Sequence, residues 1–355
     1  MPAFANIRSF ALRAPAWALI AAVLVGGTAC SDGRDTRSTR RSAQPPPAAT
    51  RNGTPAPAYD RDRFAAVIPV PGATRMAVAD GAVWVLGAGR VVRIDPATDA
   101  VAGEPLGVPA NADAIAVGAR TLWVTSVAPG DLDAPRDDSV SRLDLQTGRA
   151  VATVAVRRAP VDVATTRGAV WVTNFGGDGD SVTRIDPRTN RVAGRPVVTG
   201  LGPLSLAAGG GSLWVANHDA QTVTRIDPEA GKVVAHIRVP SEPHRVAYGA
   251  GAAWVGNWHD DSVSRIDPKT NRVVGSPIPI GFPAGNIAVG AGSVWVTSDY
   301  REESEPEDVV VVRIDPRLNR AVETIPVGGH PIDIATTGRA VWVSVADPGT
   351  VLRIK

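Results

Sequence analysis

From Phe64 onward, apolar and polar residues alternate in short runs that are separated by Gly-rich and Asx–Pro turns. Alternation with a period of two predicts half-buried β-strands, and the turn residues between the runs predict antiparallel pairing. The runs group into a recurring unit of four strands. In its fourth copy the predicted strands are Leu204–Ala208, Ser212–Asn217, Thr222–Ile226 and Val233–Val239.

Tryptophan marks each copy of the unit. Seven tryptophans are spaced 39 to 48 residues apart, and an alanine stands seven residues before each of them. About ten residues after most of them comes an Arg-Ile-Asp-Pro motif, as in Arg184-Ile185-Asp186-Pro187. A repeat of this length with β-type content is typical of a propeller. The marker tryptophans are Trp84, Trp123, Trp171, Trp214, Trp254, Trp295 and Trp342.

The repeated residues have structural explanations. A small alanine suits the innermost strand, where the blades crowd around the axis, and a tryptophan on the second strand offers a large apolar surface for packing between blades. The Asp-Pro pair ends the third strand, because Asp bonds its own downstream backbone and Pro fixes φ for the turn. We assign no chemistry to these positions.

The two ends of the repeat predict how the ring closes. The last copy reaches Lys355 after its third strand, and the segment Phe64–Val70 matches the fourth strands of other copies. The sequence therefore predicts an all-β, seven-bladed β-propeller over residues 64–355. Each blade has four antiparallel strands, and the N-terminal strand completes the last blade, which removes open sheet edges.

The first thirty residues predict export. Arg8 and Arg13 precede an apolar run, Ala14–Val25, and small residues follow this run up to Cys30. The run is too short to span a bilayer permanently and is typical of a signal peptide. The segment resembles a bacterial lipoprotein signal, with residues 1–29 removed and Cys30 lipidated. That implies attachment to the extracytoplasmic side of the cell membrane. The alternative is an ordinary signal peptide cut nearby, which would leave a secreted chain with a free thiol.

Residues 30–63 contain almost no large apolar side chains. They cannot bury enough surface to offset the entropy of ordering, so they are predicted to be a disordered linker between the anchor and the propeller.

Composition and charge narrow the function classes. The single cysteine excludes a disulfide scaffold and a multi-cysteine metal site. The net charge of +2 comes from the signal and the linker, whereas residues 64–355 hold three more acidic than basic residues. A nucleic-acid-binding protein needs a clustered positive surface, so no nucleic acid partner is expected. We expect a monomer.

The repeat also carries a family resemblance. The motif Trp-Val-x-Asn, followed by Val-x-Arg-Ile-Asp-Pro-x-Thr-Asn-x-Val, is present over Trp171–Asn174 and Val182–Val192. It resembles the YVTN-type β-propellers and the related streptogramin B (virginiamycin B) lyase-like propellers over all of residues 64–355. The resemblance implies the propeller fold more strongly than any activity.

Loop lengths predict a binding face. The loops between second and third strands, together with the loops between consecutive blades, open on one face of a propeller, here called the looped face. Long inserts fall in three of them, at 127–138, 175–180 and 299–308, whereas the opposite loops are nearly constant. Insertions on one face of a repeat fold usually mark binding. Four of the five histidines also fall here, namely His218, His244, His259 and His330.

The same face should have a polar mouth at the axis. The residues nine positions before each marker tryptophan are Arg75, Ala114, Asp162, Ser205, Arg245, Asn286 and Asp333. Such a mouth, with Phe175 and Trp258 nearby, suits a partly apolar ligand with several hydrogen-bonding groups. The alternative is that these are ordinary solvated loop residues. The ligand-binding candidates are Asp162, Phe175, His218, His244, Arg245, Asn257, Trp258, His259 and Asp333.

The lyase resemblance implies a Pro-His segment and, about fourteen residues later, a Glu that helps bind Mg²⁺. Pro243-His244-Arg245-Val246 matches the first part, but Asn257 stands at the Glu position. A neutral amide replaces a carboxylate ligand of Mg²⁺ poorly. His244 remains a candidate general base, but elimination without the metal would be poorly supported.

We therefore expect a binding or scaffold module rather than an enzyme. Its partner at the looped face would be a small molecule, an envelope polymer or a protein. We expect no metal and no cofactor. The alternative is a carbon–oxygen lyase that opens a cyclic depsipeptide with the assistance of Mg²⁺.

Overall fold

A computed structural model describes residues 61–128, 138–176, 180–240, 242–299 and 309–355. The expectations for the signal peptide, for Cys30 and for the linker up to residue 60 lie outside these ranges, as do most of the inserts at 127–138 and 299–308 and half of the insert at 175–180. No helix in the described ranges is long and apolar enough to cross a membrane.

Seven antiparallel sheets form the blades, and their innermost strands pack side by side around the axis. The contact between the first and the last of these strands closes the ring. The innermost strands are β2 (Ala73–Ala79), β7 (Ala112–Gly118), β11 (Pro160–Thr166), β16 (Pro203–Gly209), β20 (Pro243–Gly249), β25 (Ala284–Gly290) and β29 (Pro331–Thr337).

The second strand of each blade is buried along its whole length, because neighbouring blades cover both of its faces. Each marker tryptophan lies here, directly opposite the alanine of the innermost strand, as in the pair Ala207 and Trp214. The second strands are β3 (Ala82–Gly87), β8 (Thr121–Ser126), β12 (Ala169–Asn174), β17 (Ser212–Asn217), β21 (Ala252–Asn257), β26 (Ser293–Ser298) and β30 (Ala340–Val345).

Five of the seven third strands carry the Arg-Ile-Asp motif, whereas β9 has Arg-Leu-Asp and β31 ends on Arg-Ile. The isoleucine is buried, and the aspartate accepts hydrogen bonds from the turn that follows, as Asp227 does from Glu229 N at 2.8 Å. The third strands are β4 (Arg90–Asp95), β9 (Ser139–Asp144), β13 (Ser181–Asp186), β18 (Thr222–Asp227), β22 (Ser262–Asp267), β27 (Val310–Asp315) and β31 (Thr350–Ile354).

Fourth strands are of two kinds. Three blades have one continuous outer strand, whereas in three others two short strands pair with the same third strand. The interruption coincides with Gly-x-Pro, because the glycines adopt positive φ (Gly103, Gly194 and Gly275) and proline cannot donate to the ladder. The outer strands are β5 (Ala100–Val101) with β6 (Leu106–Gly107), β10 (Ala150–Ala155), β14 (Arg191–Val192) with β15 (Val197–Val198), β19 (Lys232–Arg238), β23 (Arg272–Val273) with β24 (Ile278–Pro279), and β28 (Arg320–Pro326).

The predicted closure is confirmed. Strand β1 (Phe64–Pro69) pairs antiparallel with β31 and supplies the outer strand of the seventh blade. The chain is therefore a seven-bladed, all-β propeller with four antiparallel strands per blade, as the repeat predicts.

The arginine of the third strand links five of the blades to the blade that follows. In six blades the arginine of the third strand lies 5.1 to 5.8 Å above the ring of its own blade's tryptophan. From there Arg225 donates to the carbonyl of Pro268 and to Asn271 Oδ1 at 2.8 Å, both in the following blade. The motif therefore serves as an inter-blade clamp.

At the ring closure the clamp becomes an ion pair. Arg353 of the last blade contacts both carboxylate oxygens of Asp99 in the first blade, at 2.6 and 2.7 Å. The pair is partly exposed, so we expect Arg353→Ala to lower the free energy of unfolding by about 1–2 kcal/mol. Urea unfolding of the full chain measures this effect. Arg188→Ala is the control, since its side chain is 88% exposed. Equal losses in the two variants would contradict the clamp.

Candidate functional site

The innermost strands start on the looped face. Pro243, the first residue of β20, pairs with Asn257, the last residue of β21, from which the second-to-third loop departs. A bulge interrupts the start of all seven innermost strands, as between Pro243 and Arg245. Bulges re-aim side chains, and here they bring the residues nine and ten positions before the tryptophans to the axis. We call this place the axial mouth. It contains Arg75, Asp113, Asp162, Ser205, His244, Arg245, Asn286 and Asp333.

Charges from distant blades lie near one another at the axial mouth. Arg75 of the first blade and Arg245 of the fifth both contact Asn286 of the sixth, and both act on the pKa of Asp113 in the second blade. Burial raises the pKa of the Asp113 carboxyl, and the two guanidinium groups oppose that shift. Burial, and next the nearby Arg75, lower the pKa of Arg245 to about 10.

Two of the predicted ligand-binding carboxylates join neighbouring blades. Asp162 accepts hydrogen bonds from Val163 N at 2.8 Å and from Leu206 N of the next blade at 2.9 Å. Asp333 accepts in the same way from Ile334 N at 2.8 Å and from Met76 N at 2.7 Å. Both carboxylates lie at the axial mouth, and both oxygens of each accept hydrogen bonds from backbone N–H groups.

The two arginines share one amide. Arg245 Nε donates to Asn286 Oδ1 at 2.8 Å, and Arg75 Nη1 approaches the same oxygen at 3.5 Å. Asn286 in turn donates from Nδ2 to the carbonyl of Ile332. The amide therefore positions two guanidinium groups at the axial mouth without neutralising either.

Histidines and carboxylates continue from the axial mouth across four blades. The rings of His218 and His244 meet edge to face with centroids 6.3 Å apart. Asp299 lies between His244 and His330, with Oδ2 at 3.9 Å from His244 Nδ1 and Oδ1 at 3.6 Å from His330 Nε2. His218 Nδ1 lies 2.8 Å from Asp219 Oδ1. Over the described ranges, no set of three or more His, Cys, Asp or Glu side chains has the arrangement of a metal site.

His244 is held neutral. Burial, and next the neighbouring Arg245, lower the pKa of its imidazole to about 3, whereas Asp299 opposes the shift. A base this weak accepts a proton poorly at neutral pH. The side chain therefore suits hydrogen bonding to a ligand better than general base catalysis.

This shift predicts acid sensitivity. The unfolded imidazole binds a proton near pH 6.5, but the folded one binds it only near 3, so unfolding takes up a proton between these values. The contribution of His244 to the free energy of unfolding is complete above pH 6.5. It falls as the pH decreases, by up to about 1.4 kcal/mol per pH unit. We expect His244→Leu to flatten the pH dependence of the unfolding free energy over this range. The exposed His259→Leu is the control, and an unchanged slope in His244→Leu would contradict the assignment.

Other predicted site residues lie away from the axial mouth. Asn257 is fully buried inside its blade and donates to Ser262 Oγ at 3.0 Å and to Ser264 Oγ at 2.9 Å. Asn174 and Asn217 make equivalent bonds, so this position fastens the second strand to the third. Phe175 is also buried.

The loop after β21 holds the remaining two candidates. Trp258 is half-buried, and its backbone N donates to the Glu242 carbonyl at 3.0 Å. His259 is exposed. Both residues are therefore on the looped face, beside the connection that leads into β20.

Asp113 is not among the residues predicted from the sequence. That prediction used the residue nine positions before each marker tryptophan, which is Ala114 in the second blade. Asp113 occupies the position equivalent to His244, ten residues before the tryptophan. Knowing that every innermost strand begins with a bulge would have added the position ten residues before the tryptophan, and with it Asp113, to the prediction.

An open cavity of about 570 Å³ lies on the opposite face between the fifth and sixth blades, beside Arg265 and Arg317. It contains none of the predicted residues.

Comparisons with known proteins show the fold. Virginiamycin B lyase from Staphylococcus aureus is 18% identical, with a TM-score of 0.66, over 82% of this chain and 98% of that one. A streptogramin B lyase structure is 16% identical, with a TM-score of 0.65, over 81% and 96%. The WD40 β-propeller domain of Doa1 is 11% identical, with a TM-score of 0.63, over 82% and 96%. No protein-family model and no curated protein sequence matches the chain. Identities this low establish the propeller architecture alone.

Proposed function

We propose that this chain is an extracytoplasmic, lipid-anchored binding module of the YVTN propeller type, which takes its ligand at the axial mouth of the looped face. The observation that carries the proposal is the convergence of buried Arg245, Asp113 and His244 with half-buried Arg75 at one opening. Burying charged groups is costly, and their collection at one opening is a feature of binding sites. The ligand we propose is a small molecule, or the end of an envelope polymer or protein.

A thermal-shift screen of the full chain in detergent tests this proposal. We expect a compound from a library of metabolites and envelope fragments to raise the unfolding temperature. The shift should be lost in Arg75→Met, a substitution at the axial mouth, and retained in Arg317→Ala on the opposite face. If hits survive in folded Arg75→Met and disappear in Arg317→Ala, the axial mouth is not the binding site.

A lyase acting on a cyclic depsipeptide is the second candidate, favoured by the lyase structures among the fold neighbours. Two features of the chain weigh against it. Asn257 stands where the resemblance places a metal-binding Glu, and its side chain is buried within the blade. His244 is a weak base. We expect no linear product when the full chain is incubated with a streptogramin B and Mg²⁺, and a linearised product by mass spectrometry would establish the lyase instead.

The membrane attachment rests on Cys30 and the preceding signal. Labelled palmitate should enter the wild-type chain in a bacterial host and be absent from Cys30→Ser. Equal labelling of the two chains would refute the anchor, whereas a labelled wild type alone supports it.

A further inference from the structure

We propose that the axial mouth binds a free α-amino acid, with the ligand's carboxylate between Arg75 and Arg245 and its ammonium group on Asp113. The inference rests on the proposed function in one respect, namely that the ligand enters from the looped face. It adds the chemical class of the ligand and the residues that select it.

The carboxylate side of the site consists of two guanidinium groups with unused donors. Each guanidinium carries five N–H donors. Within the described ranges Arg75 donates only to Asn286, and Arg245 donates to Asn286 and, at 3.4 Å, to the carbonyl of His244. Neither arginine forms an ion pair within 4.0 Å in the described ranges. The carboxylate oxygens of Asp162 and Asp333 accept hydrogen bonds from backbone N–H groups instead. Two like charges held together in this way favour an anion between them.

Asp113 supplies the other half of the site. Its side chain is nine-tenths buried, at 6% exposure, and Oδ2 has no hydrogen-bond partner among the described residues. It lies in the bulge at the start of the innermost strand β7, and Arg75 and Arg245 are near enough to lower the pKa of its carboxyl. A buried carboxylate oxygen without a donor is costly, and almost all such atoms in proteins have a partner. The site therefore requires a hydrogen-bond donor from the ligand at this point.

A zwitterion meets both requirements and a singly charged ligand meets one. A simple carboxylate would bind the arginines but would add a negative charge beside three aspartates and leave Asp113 without a donor. A simple amine would bind Asp113 but would face two guanidinium groups. An α-amino acid presents both charges a short distance apart and leaves the net charge of the axial mouth unchanged.

Isothermal titration of the full chain in detergent tests the inference. The probes are glycine and the L- and D-forms of the other nineteen amino acids, with propionate and ethylamine as the two half-ligands. We expect at least one amino acid to bind, and each half-ligand to bind at least about tenfold more weakly. Propionate binding as tightly as the amino acid, or no binding by any amino acid, would overturn the inference.

Two variants assign the residues. Arg75→Met and Asp113→Asn should each weaken binding by about tenfold or more, whereas Arg188→Met, exposed in a turn on the opposite face, should not. Asp113→Asn keeps the shape of the side chain and removes a buried charge, so we expect its unfolding temperature to equal or exceed that of the wild type. Retained affinity in Asp113→Asn rules out the assignment even if Arg75→Met fails to fold.

The outcome also separates this inference from the proposed function. If no amino acid binds but other library compounds bind in a manner that depends on Arg75, only the ligand class is wrong. If nothing binds to a folded chain, both proposals fail.

Discussion

Replacing Ile68 with aspartate is expected to unfold the seventh blade and to lower the free energy of unfolding by about 4 kcal/mol. Ile68 is 6% exposed in β1 and packs among Val83, Ile94 and Trp342, at the junction of the last and first blades. An aspartate there would bury a charge where the closing strand holds the ring together.

Val67→Asp is the matched control for this prediction. Val67 is the adjacent residue of the same strand, but it faces outward and is 41% exposed. We expect its substitution to change stability by less than about 1 kcal/mol. Urea unfolding followed by circular dichroism compares the two variants. Similar small effects would show that β1 is not needed for closure, even though it pairs with β31.

Trp214→Ala should have an effect nearly as large, about 3–5 kcal/mol. The ring is fully buried and stacks on Tyr248 of the next blade, with centroids 6.0 Å apart. Its Nε1 donates to the Gly209 carbonyl at 3.2 Å, and the Arg225 guanidinium lies 5.1 Å above the ring. The substitution therefore leaves a cavity between two blades and removes the surface on which the inter-blade clamp rests.

Trp258→Ala provides the comparison for Trp214→Ala. Trp258 lies outside the repeat and is half-buried, so we expect its loss to cost about 1 kcal/mol or less. Both variants are measured by urea unfolding of the full chain. If the two tryptophans proved equally important for stability, the distinction between blade-building and loop tryptophans would be wrong.

The repeat was sufficient to predict the architecture. Tryptophan and alanine recur because they face each other in every blade, so their spacing counts the blades directly. The match of Phe64–Val70 to other fourth strands predicted closure, which the pairing of β1 with β31 confirms. The interrupted outer strands were not predicted, although Gly-x-Pro marks them in the sequence.

The candidate site could be predicted less completely than the fold, because its residues come from blades that are far apart in the sequence. Asp113 and Arg245 belong to blades far apart in the chain, and only ring closure brings them together. One ligand-binding candidate illustrates a second reason. Asn257 is the last residue of β21, and its amide turns inward to Ser262 and Ser264. Side-chain direction at the end of a strand depends on partners that the sequence does not reveal.

Hydrogen–deuterium exchange is the most direct test of the claim that the axial mouth of the looped face is the binding site. It is measured on the full chain with and without the compound that gives the largest shift in the thermal screen. We expect slower exchange in peptides containing Arg75, Asp113 and His244–Arg245, with none at the turns of the opposite face. Protection confined to Ala250 and Arg317, which line the cavity on that opposite face, would contradict the account.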